Sequence, residues 1–206
     1  MKHRNLARSL ALLLGITAMV VQAENKKDTE LAVFAGGCFW CMEPPYDELE
    51  GVVSTTSGYT GGSAEDANYK AVSAGGTGHY EAIQIEYDPS VVSYEELLRV
   101  FWFNIDPLDD RGQFCDMGSQ YLSAIFPKNE EERALAETSK ARIGPDDAPA
   151  DVVKTRILPA TTFYAAEDYH QDYYKKNPVR YKFYRWNCGR DARLEELWGE
   201  SAGGSH

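Results

Sequence analysis

The sequence of 206 residues has few cysteines, few basic residues and one long apolar run. Four cysteines are too few for a disulfide-rich scaffold. The 21 Lys and Arg against 32 Asp and Glu give a formal charge of −11, so the chain lacks the basic surface that nucleic-acid binding requires. Internal repeats and long linkers are absent as well. These absences indicate one ordinary globular domain that does not bind nucleic acid.

The apolar run, residues 10–21, follows a basic start and ends at the small-residue cleavage sequence Val21-Gln22-Ala23. It is too short and too weakly flanked to span a membrane, and it therefore predicts a secretory signal peptide over residues 1–23. Residues 24–206 are expected to form a single domain with a core over about 31–198. We expect an exported protein with no membrane attachment, most simply in a bacterial periplasm.

The most informative motif is Gly36-Gly37-Cys38-Phe39-Trp40-Cys41, which ends an apolar strand and begins a helix. A cysteine at a helix N-terminus lies near unpaired N–H groups and the positive end of the helix dipole, which predicts a lowered pKa for the Cys38 thiol. The rings of Phe39 and Trp40 can form an apolar pocket beside that sulfur. The motif therefore predicts a nucleophilic cysteine with an apolar substrate site.

Cys38 and Cys41 also have the Cys-x-x-Cys spacing of a zinc half-site, a redox dithiol or a structural disulfide. Zinc requires a second pair of ligands at similar spacing, whereas Cys115 and Cys188 stand alone, so no metal site is expected. In an oxidising compartment, structural disulfides also fit, with the pairing open. Two further functions are compatible with the pattern: a thiol–disulfide oxidoreductase that uses Cys38 and Cys41, and an exported binding module.

Hydrophobic periodicity and turn residues predict alternating strands and helices. The expected strands cover residues 31–34, 52–59, 81–87, 121–126 and 152–158. One expected helix begins at Cys38. The other expected helices cover residues 64–74, 94–103, 129–143, 165–176 and 192–198, and a loop is expected over 144–149. Pro44 and Pro45 should kink or delay the first helix, and Asn177-Pro178 should end the helix before it. This mixture indicates the α+β or α/β class.

Five motifs follow one another along the chain: Gly37-Cys38-Phe39-Trp40, Gly58-Tyr59-Thr60-Gly61-Gly62, Gly78-His79-Tyr80-Glu81-Ala82, Gly118-Ser119-Gln120-Tyr121 and Tyr169-His170-Gln171-Asp172-Tyr173. Together they resemble the A-type peptide-methionine sulfoxide reductases, which reduce the S epimer of methionine sulfoxide. One departure is Leu122, which stands where that family usually has an arginine. The resemblance implies an α+β fold: a two-layer α/β sandwich with a ferredoxin-like core, a mixed sheet packed with helices, and a long irregular C-terminal segment.

The resemblance also implies roles for individual side chains. Cys38 matches the nucleophile that attacks the sulfoxide sulfur, and Glu81 matches the general acid that protonates the oxygen. Burial of Glu81 among aromatic neighbours would raise its pKa and keep it protonated, which suits that role. The implied substrate-binding residues are Phe39 and Trp40 for the methyl group, Tyr69 and Tyr121 for the oxygen, and Asp116 as a supporting carboxylate.

The implied reaction leaves a sulfenic acid on Cys38, which a second thiol converts to a disulfide that thioredoxin or a similar dithiol protein reduces. No metal or bound cofactor is implied. Cys188 is the preferred resolving thiol and Cys41 the second choice, while Cys115 and direct attack by an external thiol remain open. We expect a monomer that repairs oxidised exported proteins.

Overall fold

The computed structural model describes residues 28–143 and 151–203. The expected signal peptide and the expected loop over 144–149 lie outside these residues. The strands are β1 (Glu30–Gly36), β2 (Val52–Thr60), β3 (Tyr80–Tyr87), β4 (Gly112–Gln113), β5 (Asp116–Met117), β6 (Ser123–Ile125), β7 (Arg156–Ile157) and β8 (Phe163–Ala165). The helices are α1 (Phe39–Asp47), α2 (Tyr69–Ala74), α3 (Tyr94–Phe103), α4 (Glu130–Ala141), α5 (Tyr173–Lys176), α6 (Pro178–Asn187) and α7 (Arg190–Trp198).

Six strands form one mixed sheet in the order β7-β6-β1-β3-β2-β8, and β4 pairs with β5 in a separate hairpin. Neighbours in the large sheet are antiparallel except β6 and β7, which are parallel. The mixed sheet and its helices confirm the predicted α+β class. Phe34 of β1 pairs with Ile83 of β3. That register places the C-terminal end of β1, which leads into Cys38, beside the start of β3, which carries Glu81.

The main hydrophobic core packs side chains of β1 and β3 against α1, α3 and α4. Phe34 is fully buried, with its ring centroid 5.3 Å from that of Phe101 and 6.0 Å from that of Tyr46. Burying an aromatic side chain of this kind contributes about 2 to 3 kcal/mol. Side-chain caps begin three of the described helices: Ser93 accepts the N–H of Glu96 at 3.1 Å at α3, and the matching caps of α2 and α4 are Asn68 and Asn129. Within the described ranges, no helix is both long and apolar enough to cross a membrane.

Two proline-containing segments differ from the expectation. α1 begins directly after Cys38 and contains both Pro44 and Pro45, so the prolines do not delay it. Pro178 begins α6 as well as following the end of α5. A proline in the first turn costs no intrahelical hydrogen bond, because the N–H groups there have no helical partner.

The helix predicted over 165–176 is wrong. β8 ends at Ala165, turns follow, and α5 begins only at Tyr173. The segment predicted to be helical over 64–74 is a short 3-10 turn followed by α2, and the strands predicted over 121–126 and 152–158 shrink to β6 and β7. The C-terminal segment is irregular around residues 166–172 and then forms three short helices.

A buried carboxyl group, that of Glu43 in α1, joins three parts of the fold. Its Oε1 atom accepts the hydroxyl of Ser57 in β2 at 2.9 Å and the backbone N–H of Asp172 at 3.2 Å. Burial raises the pKa of Glu43 from its ordinary 4.5 to about 7, although both hydrogen bonds lower it. The folded state therefore favours the protonated form. Its stabilising contribution is complete below about pH 4.5 and is lost as the pH rises through about 7.

Glu43→Gln is expected to match the wild type in stability near pH 4 and to exceed it by about 3 kcal/mol near pH 8. The amide oxygen can keep both hydrogen bonds, and the variant has no buried charge to form as the pH rises. Denaturant unfolding across this pH range measures the difference, with the exposed Glu48→Gln as control. Parallel stability curves for Glu43→Gln and the wild type would contradict the prediction.

Candidate active site

The turn between β1 and α1 places Cys38 at the N-terminus of α1. Gly37 adopts φ +81°, a conformation that favours glycine, and a Cβ atom there would lie 2.5 Å from Cβ of Gln113. Cys38 is the N-cap residue and is only 6% exposed. The turn therefore requires glycine for both conformation and space, and it leaves Cys38 open to one small pocket.

This pocket has a volume of about 70 Å³ and collects side chains from six parts of the fold. Its lining residues are Cys38, Phe39, Trp40, Tyr69, Glu81, Asp116, Tyr121 and Tyr184. All seven residues predicted as catalytic or substrate-binding are among them. The eighth, Tyr184, belongs to α6, a helix that the sequence pattern does not predict. Its hydroxyl donates a hydrogen bond to Asp116.

Glu81 extends from β3 and is only 2% exposed. One carboxyl oxygen accepts the backbone N–H of Phe39 at 3.3 Å. Burial raises the pKa of Glu81 to about 8, with a smaller contribution from the charge of Asp116. The pKa of Asp116 is also raised by burial, against the hydrogen bond from Tyr184. Glu81 is therefore mostly protonated at neutral pH and can donate a proton into the pocket.

Aromatic and polar contacts fix the pocket walls. Trp40 stacks on Tyr173 with centroids 3.8 Å apart, and its indole N–H donates to Nδ1 of His170 at 3.1 Å. His170 is 1% exposed and packs among the rings of the site. Tyr69 begins α2, and its backbone N–H donates to Glu167 at 2.9 Å. These contacts hold Trp40 and Tyr69 in place before any ligand binds.

Cys41 lies one helical turn after Cys38, and the two thiols share a hydrogen bond. Burial raises the pKa of the Cys38 thiol, and Cys41, Glu81 and Asp116 add to the rise. The hydrogen bond from Cys38 lowers the pKa of Cys41 to about 6, outweighing burial, with help from the guanidinium groups of Arg190 and Arg185. The expected low pKa of Cys38 is therefore wrong. Carboxyl groups face Cys38 and cations face Cys41, so the pair holds its negative charge on Cys41.

The other two cysteines form a disulfide between Cys115 and Cys188, with Cα atoms 4.9 Å apart. A carboxylate oxygen of Asp116 lies within 4.8 Å of both sulfurs. Among the described residues, these three are the one group of Cys, His and acidic side chains with metal-ligand spacing, and its two sulfurs are bonded to each other. The thiol that interacts with Cys38 is thus Cys41, whereas Cys188 is bonded to Cys115.

A buried thiol with a second thiol beside it, a protonated carboxyl group and an aromatic wall define a thiol-dependent oxidoreductase. The family model described as "Peptide methionine sulfoxide reductase" matches residues 30–202. The chain belongs to this family, in its A-type branch, and it is an oxidoreductase that reduces methionine sulfoxide.

Known members of this family are similar to this chain over most of its length. The peptide methionine sulfoxide reductase MsrA of Bacillus licheniformis is 51% identical over 170 residues, covering 82% of this chain and 94% of that protein. MsrA 2 of Caulobacter vibrioides is 47% identical over 193 residues, covering 94% and 95%. The solved structure of methionine sulfoxide reductase A from Corynebacterium diphtheriae superposes with a TM-score of 0.66 at 32% identity, covering 75% of this chain and 78% of that one.

Cys41→Ser is expected to move the first thiolate titration of the protein from about pH 6 to a value at least roughly one pH unit higher. The remaining Cys38 thiol is buried and faces carboxyl groups. Ultraviolet absorbance of the thiolate as a function of pH measures the midpoint. Cys38→Ser is the matched control, because the serine hydroxyl can still donate a hydrogen bond to Cys41 and should keep the midpoint low. If instead Cys38→Ser raises the midpoint and Cys41→Ser leaves it low, the thiolate charge lies on Cys38.

Proposed function

We propose that this protein reduces the S epimer of methionine sulfoxide, protein-bound or free, to methionine, with Cys38 as nucleophile and Glu81 as proton donor. The observation that carries the proposal is the shared pocket. A thiol, two carboxyl groups of which Glu81 is protonated, three tyrosines and the rings of Phe39 and Trp40 surround about 70 Å³ of space. The predicted signal sequence favours a role in repairing oxidised exported proteins.

The pocket offers a different wall to each substituent of the sulfoxide sulfur. Phe39 and Trp40 form an apolar surface for the methyl group. Glu81, Tyr69 and Tyr121 supply O–H donors for the oxygen, which gains negative charge as the S–O bond breaks. The rest of the methionine side chain must leave through the mouth of the pocket. The apolar wall, the O–H donors and the mouth each receive a different substituent of the stereogenic sulfur, and this arrangement favours one epimer of the sulfoxide over the other.

The reaction begins when the Cys38 sulfur attacks the sulfoxide sulfur. The Cys38 thiol proton passes along its hydrogen bond to the Cys41 thiolate, and Glu81 gives its proton to the sulfoxide oxygen. The oxygen, now a hydroxyl group, moves from the substrate sulfur to the Cys38 sulfur as the new S–S bond and the old S–O bond break, so methionine leaves and Cys38 becomes a sulfenic acid. The substrate sulfur gains two electrons, and Cys38 loses them.

Two steps then restore the enzyme. Cys41, in hydrogen-bond contact with Cys38, attacks the sulfenic sulfur and releases water, which leaves a Cys38–Cys41 disulfide. Cys41 packs against Tyr181 and Tyr184 of α6, and Cys188 follows Tyr184 by one helical turn on the same side of that helix. This position supports transfer of the disulfide to Cys115–Cys188. A thioredoxin-like dithiol protein reduces that second pair.

Glu81→Gln is expected to slow reduction of the S epimer by about 100-fold or more below pH 8, because the variant cannot donate a proton. Wild-type activity should fall as the pH rises through about 8, where Glu81 ionises, so the gap between the two narrows at higher pH. Turnover of a methionine-sulfoxide peptide with dithiothreitol, measured against pH, tests this.

Two controls accompany that measurement. Cys38→Ser should lose all activity, and the R epimer should not react with the wild type. A Glu81→Gln profile that matches the wild type in rate and shape would refute the acid role, and equal turnover of both epimers would refute the stereochemical assignment.

The number of methionines formed without reductant tests the order of the cysteines. A fully reduced wild-type chain should form about two methionines, one for each disulfide it can make. Cys188→Ser should form about one and end with a Cys38–Cys41 disulfide, which peptide mapping by mass spectrometry would identify. If Cys188 instead resolves the sulfenic acid directly, Cys41→Ser will accumulate a Cys38–Cys188 disulfide.

A further inference from the structure

The outer face of α6 carries three exposed apolar side chains. Val179 is 82% exposed, Phe183 64% and Trp186 74%. Their spacing of four and then three residues places them on one side of the helix, and the rings of Phe183 and Trp186 lie 6.1 Å apart. The opposite side holds Tyr181 and Tyr184, which pack into the site. We call Val179, Phe183 and Trp186 the α6 stripe.

The α6 stripe lies on a basic helix of an acidic protein. α6 contains Arg180, Lys182 and Arg185 and no acidic residue, whereas the whole chain has a formal charge of −11. Arg185 pairs with Asp191 of α7 at 2.6 Å. Arg180 and Lys182 are exposed, and within residues 28–143 and 151–203 no ion pair engages either of them. The surface therefore combines apolar contact area with positive charge, and it suits an acidic protein.

The same helix ends at the accessible disulfide. Cys188 is the C-cap residue of α6, two residues after Trp186, and its partner Cys115 is exposed. Cys38 and Cys41 are 6% and 1% exposed, so the thiol of another protein cannot reach them without rearrangement. A protein that attacks Cys115–Cys188 approaches the last turn of α6.

We propose that the α6 stripe, together with Arg180 and Lys182, is the docking surface for an acidic dithiol protein that reduces the Cys115–Cys188 disulfide. This rests on the proposed function. A thiolate of the partner attacks one sulfur of the disulfide and releases the other as a thiolate. The partner's second thiol then attacks the mixed disulfide, which leaves two thiols on this chain and a disulfide on the partner. Apolar contact holds the complex, and opposite charges speed its formation.

The test compares a protein reductant with a small one. The double variant Phe183→Ala/Trp186→Ala removes two exposed rings and should raise the KM for a bacterial thioredoxin of net negative charge by about 10-fold. The thioredoxin is kept reduced by its reductase and NADPH. Lys182→Glu should raise this KM several-fold and weaken its dependence on salt. Rates with dithiothreitol should not change in either variant.

Matched controls lie elsewhere on the surface: Val91→Ala, at a residue 50% exposed, and Arg142→Glu, at an exposed residue after α4. Neither should change the KM for thioredoxin. An unchanged KM in the double variant overturns the proposal, as does a wild type that dithiothreitol sustains and thioredoxin does not.

Two other ligands of the α6 stripe would give different experimental results, and either result would overturn the proposal. A raised KM for an oxidised protein substrate with dithiothreitol means that the stripe binds substrate. A wild-type dimer in sedimentation that the double variant abolishes means that it binds a second copy. Absence of sulfoxide reduction with dithiothreitol would instead refute the proposed function itself.

Discussion

The site depends on one buried cation, the guanidinium group of Arg190 at the start of α7. Its Nη2 atom donates to the carbonyl oxygens of Gly36 at 3.2 Å and Asn104 at 2.6 Å, and the group lies 4.4 Å above the ring of Phe114. Arg190 thereby fastens the C-terminal helices to the back of the turn that carries Cys38. A buried charge is tolerated only where such partners replace water. The packing of α7 therefore depends on the carbonyl oxygen that the Cys38 turn offers to Arg190, and the turn is held in place by that contact. The same charge lowers the pKa of Cys41.

Burial and neighbouring charges together determine which of the ionisable groups in the site keep their protons. Glu81 and Cys38 are removed from water without a cation beside them, so both hold their protons. Cys41 is as deeply buried as Cys38, yet the hydrogen bond from Cys38 and, after it, the charges of Arg190 and Arg185 stabilise its thiolate. In the proposed reaction, the neutral Cys38 thiol transfers its proton to Cys41 only as it attacks. An acid in the pocket, Glu81, and a base beside it, Cys41, thus remain ready at neutral pH.

The sequence predicts the parts of the fold that local chemistry determines. The helices predicted over 94–103 and 129–143 form, with Ser93 and Asn129 as their caps, and the seven predicted site residues meet at one pocket. The sequence-based predictions fail where contacts between distant parts of the chain determine the structure. β8 has only three residues and forms because it pairs with β2 at Gly58, where a Cβ atom would lie 2.3 Å from the ring of Phe163. Pro178 has the sequence signature of a helix stop, which conceals α6 and with it Tyr184. The pKa of Cys38 departs from the prediction because the helix dipole is visible in a sequence and desolvation is not.

Reactivity and access impose opposite demands on a cysteine in this protein. In the proposed reaction, burial of Cys38 keeps oxidants away from its sulfenic acid, and the low dielectric strengthens the hydrogen bonds that the pocket donates. Burial also excludes the thiols of any protein reductant. In the proposed reaction a second pair, Cys115 and Cys188, reconciles the two, because Cys115 is exposed and an oxygen of Asp116, which lines the pocket, lies within 4.8 Å of both sulfurs. Tyr184 bonds to Asp116 and Cys188 follows on the same helix, so α6 carries both a wall of the pocket and one half of the disulfide.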